Sequence, residues 1–245
     1  MIDLMNDLRL ITQSTTDPCV FDTYWMTGLV QRGRVRTTVV NLTDGKTAAE
    51  LSAAQYLLEK KHVCGHNKAG AGLRLYVSCS AIQNLLVGSE PKGFLAPYAN
   101  FLRTRFRGGE VVLDQGPYSW ANELCESLFD EIEILKPVAT IMEVNGFGPV
   151  ELTVHAVDQY IKRFERKPLK AWRELVKIAA ELQPAAIMGR HFMSDIRHRR
   201  LGHYFVDIKR GVVFVIAERD RIDALPRIVT ILQVQSNVRV CSAAA

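Results

Sequence analysis

The chain has 245 residues, 48% hydrophobic and 23% charged, a composition of ordinary globular material with room for one large domain or two small ones. No apolar run approaches the ~20 residues that span a bilayer, and the N-terminal MIDLMNDLRL lacks the basic start and apolar core of a secretory leader, so a membrane protein or an exported one is not expected. Five scattered cysteines (Cys19, Cys64, Cys79, Cys125, Cys241) without a CxxC pair argue against a disulfide frame or zinc ribbon and for a cytoplasmic protein. Charge is uneven: from Glu151 onward there are 17 Lys and Arg against 10 Asp and Glu, whereas the first 150 residues hold 14 against 16. A basic second half points to a polyanion partner.

In chain order, CVFDTYWMTGLV (Cys19 to Val30) is β-branched and aromatic enough for a strand, and RVRTTVVNL (Arg34 to Leu42) for a second, with a turn at Gln31-Arg32-Gly33. A helix is predicted over Thr47 to Lys61, a glycine-rich loop over His62 to Gly72, and a third strand over Leu73 to Ser78. Short helices follow at Ala81 to Val87 and Pro97 to Phe106, then a strand at Glu110 to Leu113 and a longer helix from Trp120 to Ile134. The result is an α+β domain, a mixed sheet with helices packed on it, over residues 1–145. The Pro and Gly residues of LKPVATIMEVNGFGPVELTV mark the boundary. Residues 146–245 read as a small basic α-α-β-β-β domain. Thr153 caps its first helix, a second helix runs from Leu169 to Leu182, and strands follow in HYFVDIKR, GVVFVIAE and RIVTILQV.

Glu50 poses the first functional question. Thr47-Ala48-Ala49-Glu50 has capping-box spacing, in which the glutamate returns a hydrogen bond to the cap. At 100° per residue, however, Glu50 falls among Leu51, Ala53, Ala54, Leu57 and Leu58, the apolar stripe. A carboxylate there needs a bond, an ion pair or a metal. Asp22 has two readings, a catalytic acid or a strand carboxylate paired with Arg32, Arg34 or Arg36.

Phe21-Asp22-Thr23-Tyr24, AELSAAQYLLE and LYVSCSAIQNLL together resemble a ribonuclease H-like domain over roughly Cys19 to Glu133. The resemblance implies Asp22 and Glu50 as catalytic carboxylates and ligands of Mg²⁺, held side by side at one site. Its third acid position falls on Cys79, flanked by Ser78 and Ser80, so a degenerate binding domain is expected rather than an active one. Glu123 and Asp130 are the remaining acids on offer.

In the second half, LTVHAVDQYIKRF and the closing strands resemble RelE-type toxin ribonucleases, with Thr153, His155, Ala156 and Arg163 or Arg166 in place and Gln159 where an arginine belongs. Metal-free RNA cleavage needs a base, an acid and cations. The acid–base candidates are His155, His191, His198 and His203; the phosphate-binding candidates are Lys162, Arg166, Arg190, Arg197, Arg199 and Arg200. His155, Gln159, Lys162 and Arg166 share one helical face by spacing; the plainer alternatives are a solvated helix face and a basic loop without a ligand.

The leading expectation is a nucleic-acid-binding or -processing protein acting on RNA without a cofactor, toxin-like or from a mobile element. The alternatives are a non-enzymatic inhibitor or adaptor that docks a protein partner, and a Mg²⁺-dependent nuclease using Asp22 and Glu50.

Overall fold

The computed structural model describes residues 6–28, 31–40, 43–65, 69–86, 93–116, 118–122, 129–187, 202–218, 224–234 and 240–242. The protein is an α+β chain in two compact units, residues 1–138 and 139–245. Among the described residues no helix is long and apolar enough to cross a membrane.

The first unit opens with a strand that the sequence reading did not anticipate, β1 (Asn6–Ser14). Its alternation is plain in hindsight: Leu8, Leu10 and Thr12 are buried on one face while Arg9 and Gln13 lie on the other. β1 continues antiparallel into β2 (Val20–Thr27) and β3 (Gln31–Val39). Then come α1 (Gly45–Glu59), β4 (Leu73–Val77), α2 (Ala81–Leu86), a 3-10 turn at Ala96–Ala99, α3 (Asn100–Arg103), β5 (Glu110–Leu113), α4 (Ser119–Asn122) and β6 (Phe129–Ile134). The six strands lie in the order β5-β4-β1-β2-β3-β6, with β4 parallel to β1, β5 to β4 and β6 to β3.

α1 packs against β1, β2 and β3 on one side and the 3-10 turn on another. Its alanines (Ala48, Ala49, Ala53, Ala54) allow close approach all round, so the helix is buried on nearly every face rather than along one stripe. Leu8, Leu10, Phe21, Trp25, Val35, Leu51, Leu57, Leu75 and Phe101 belong to the same core. Gly70 shows how tight the packing is: a Cβ there would sit 2.3 Å from the carbonyl oxygen of Phe106. The predicted helix from Trp120 to Ile134 is corrected. Among the described residues of that stretch Ser119–Asn122 is helical, and FDEIEI, whose period is two, adds β6 to the sheet edge.

The second unit begins with a hairpin where a linker was expected: β7 (Ile141–Val144) and β8 (Gly148–Leu152) turn through Asn145 to Phe147. Gly146 has φ +74°, the left-handed conformation that glycine adopts freely. The division of the chain therefore precedes residue 145. α5 (Val154–Arg163) and α6 (Pro168–Ala179) follow, then β9 (Gln183–Ile187), β10 (Gly202–Asp207), β11 (Val212–Ala217), β12 (Arg227–Gln233) and β13 (Val240–Ser242). The sheet order is β13-β9-β10-β11-β12-β8-β7, with β8 parallel to β12. Thr153 caps α5 as expected: its hydroxyl accepts from the Ala156 amide at 3.1 Å and donates to the Ile228 carbonyl at 2.7 Å. Ala156, Val157 and Tyr160 face inward from α5, and Ala171, Trp172, Leu175 and Ile178 from α6.

Candidate functional site

Glu50 has no exposed surface. α1 starts at Gly45 behind Asp44, and no side chain caps it, so the Thr47–Glu50 capping box is not formed. Instead Glu50 reaches the junction of β4 and α2. One carboxylate oxygen accepts the amides of Ser78 (2.6 Å) and Cys79 (3.2 Å). The other accepts a short bond from the Ser78 hydroxyl and a longer one, 3.4 Å, from the Cys79 thiol. The Ser78 hydroxyl oxygen also accepts from the Thr12 amide at 3.2 Å, which ties the end of β1 to the same knot. Burial, and then the negative charge of Glu50, push the Cys79 thiol up to about 12, so it is a neutral donor. Four donors on one carboxylate satisfy a buried charge without a cation.

Asp22 is not a member of this group. Phe21 and Thr23 turn toward α1: a Cβ on Gly45 would touch the Phe21 ring, and the Thr23 and Thr12 hydroxyls lie 2.9 Å apart. Asp22, between them, points to the opposite face of the sheet. There it takes a bidentate pair from Arg36 (2.9 and 3.0 Å) and has Arg34 at 3.6 Å. Both guanidinium groups lie over the Phe129 ring. The arginine pairing open to Asp22 is formed; the shared site with Glu50 is not. The cause is β1: once Asn6–Ser14 is the first strand, Asp22 belongs to the second, and Thr12 is the first-strand residue near Glu50.

A pair of Mg²⁺ ions does not fit these residues. Both Glu50 oxygens are occupied, Asp22 is on the other face with two arginines, and Cys79 supplies a protonated thiol where a third acid is needed. Glu123 lies outside the described residues, and Asp130 is bound to Tyr56 (3.2 Å) and Lys61 (2.8 Å). No group of three His, Cys, Asp or Glu side chains among the described residues is arranged to hold a metal.

In the second unit, His203 lies near the start of β10 and its Nε2 is 2.8 Å from the Glu218 carboxylate. The imidazole rests against the Phe147 ring, with centroids 5.2 Å apart. His203 pairs across β10–β11 with Ile216, which pairs across β11–β12 with Ile228. Thr153 is bonded to that same Ile228. His155, exposed in the first turn of α5, thus starts from the sheet end that carries His203; Ile228, to which Thr153 is bonded, is two strands, roughly 10 Å, from His203. Lys162 is exposed near the end of α5, as expected. Arg166 does not share that helical face: α5 ends at Arg163, Glu165 has φ +50°, and Arg166 reaches Glu174 of α6 at 3.5 Å. His191, His198, Arg190, Arg197, Arg199 and Arg200 lie outside the described residues.

Glu218 was missed in the sequence reading, although the signal was there. Counting outward from the Lys209-Arg210-Gly211 hairpin turn sets His203 opposite Ile216, and Glu218 is the next residue on that face. No family model, no curated protein and no solved structure matches the chain.

Proposed function

We propose that the protein acts on RNA in the cytoplasm, and that its second unit binds and cleaves the phosphodiester backbone without a metal. The observation that carries this reading is the His203–Glu218 pair at the sheet end from which α5 and His155 begin. A carboxylate on Nε2 favours the tautomer that donates from Nε2, which leaves a lone pair on Nδ1. Nδ1 of His203 then removes the proton of a 2′-hydroxyl as its oxygen attacks phosphorus. His155 serves as the acid that passes a proton to the departing 5′-oxygen, so a 2′,3′-cyclic phosphate and a free 5′-hydroxyl result. The toxin-ribonuclease resemblance of LTVHAVDQYIKRF supports the same assignment.

The test is cleavage of end-labelled RNA in EDTA. His203→Ala is expected to slow cleavage by about 100-fold or more, the scale of lost general acid–base catalysis. Full activity in that variant would sink the reading.

For the first unit a non-catalytic role is proposed, as a docking surface with a fold that resembles the ribonuclease H-like type. The mixed sheet and the buried contact of Glu50 with the Ser78–Cys79 junction support it. Glu50, closed off by its four donors, favours docking over chemistry. Mg²⁺ is accordingly expected to leave activity unchanged in Glu50→Gln and Asp22→Asn alike.

A further inference from the structure

Seven Lys and Arg residues against two Glu occupy residues 162–177, a higher density of cations than any histidine candidate has around it among the described residues. Five of them (Lys162, Lys167, Lys170, Arg173, Lys177) are exposed and have no acidic partner among the described residues. Of the acids nearby, Glu165 is exposed in the turn before α6 and the other two are committed elsewhere. Glu174 accepts from the Tyr160 hydroxyl at 2.8 Å and pairs with Arg166, and Glu181 pairs with Arg210 at 2.8 Å. Arg163 is also taken, donating to the Ile231 carbonyl at 2.6 Å.

On α6, Lys170, Arg173 and Lys177 fall within about 60° of one another around the axis. Their Cα atoms span about 10 Å along it, which puts three long cationic side chains in one row within reach of neighbouring phosphates of a single strand. Lys167 and Lys170 also sit at the positive end of the helix, which has no acid in its first turn. That placement is unfavourable by itself and is offset when an anion docks. Ala171, Trp172, Leu175 and Ile178 are turned inward, and the two outward apolar residues, Leu169 and Val176, leave too small an apolar surface for insertion into a lipid interface.

We infer that the outer side of α6, with Lys167 at its head, is the track on which the phosphate backbone of single-stranded RNA lies. The inference rests on the proposed RNA activity and adds the substrate-gripping surface to it, on residues separate from the acid–base pair.

The experiment measures anisotropy of fluorescein-labelled single-stranded RNA over a salt series, with the full chain carrying His203→Ala to keep the RNA intact. Adding Lys170→Glu, Arg173→Glu and Lys177→Glu is expected to weaken binding more than 10-fold. It should also lower the slope of log affinity against log salt by about 2, three phosphate contacts at ~0.7 each. If the reversed chain fails to fold by circular dichroism, the Gln triple variant replaces it, with the same slope change expected. An unchanged slope overturns the track while leaving the RNA reading in place. Tighter binding to polyglutamate or to phosphatidylserine vesicles than to RNA overturns it in favour of an acidic protein or a membrane. No binding to any of them overturns both readings. A lowered slope with cleavage indifferent to His203→Ala upholds the track and removes the histidine assignment.

Discussion

Glu50 and Asp22 are both buried carboxylates, and each is stabilised in a different way. Glu50 is held by four neutral donors from one junction, Asp22 by two guanidinium groups. A glutamine at position 50 keeps the volume but turns an amide N–H₂ toward donors that need an acceptor. Glu50→Gln is therefore expected to cost about 2–4 kcal/mol of stability, the scale of leaving buried donors unpaired, as read from urea unfolding. RNA cleavage at saturating substrate should not change; a variant as stable as the parent would show that the carboxylate is dispensable to the fold. The same knot governs thiol chemistry. Cys19 is exposed, whereas burial raises the Cys64 thiol to about 11 and the Cys79 thiol to about 12. Only the thiolate is nucleophilic, so a thiol reagent at about pH 8 should modify Cys19 at once and Cys64 and Cys79 only on unfolding. Mass spectrometry of the labelled peptides distinguishes the three.

Elements with a strong local signal were legible in the sequence. Thr153 is the best case: a hydroxyl ahead of an apolar period of 3.6 foretold the cap, and the structure adds the bond to Ile228 that fixes α5 over β12. Thr153→Ala loses both and is expected to cost about 1–2 kcal/mol, measured by thermal or urea unfolding, with a loss near zero if solvent replaces them. α1, β4, β5 and the β10–β11 hairpin were also within reach of period and turn chemistry. What escaped was set by pairing. Gly146, Gly148 and Pro149 break structure locally, yet Pro149 is tolerated because β8 pairs with β12 only at Glu151 and Leu152, beyond the proline. FDEIEI was absorbed into a helix because the residues before it carry helix formers, although its alternation and the free edge of β3 decide for a strand. The error at the site has the same origin. Asp22 was read as lying on a first strand, and which face a strand residue occupies follows from register, which local sequence does not state.

At the scale of the whole chain, the two units differ in how alkali should affect them. In the first, burial raises the Cys64 and Cys79 thiols and the Tyr56, Tyr98 and Tyr118 phenols above their ordinary ranges. In the second, burial and the bond to Glu174 raise Tyr160. Each group is neutral when protonated and holds its proton more tightly folded than unfolded. Between the two pKa values the unfolded chain has shed protons that the folded chain keeps, so every rise in pH favours unfolding. For the thiols this contribution is whole below about pH 8.5, the unfolded value, and is lost as pH climbs toward about 11 for Cys64 and about 12 for Cys79. Melting temperatures taken between about pH 8 and pH 11 should therefore fall, and fall more steeply for the transition of residues 1–138 than for that of residues 139–245. Replacing both thiols, Cys64→Ala with Cys79→Ser, removes two of the titrating groups and should flatten the first transition's dependence while leaving the second's intact. Parallel curves for parent and variant would mean that the two thiols titrate alike folded and unfolded, and that the junction around Glu50 is open to water.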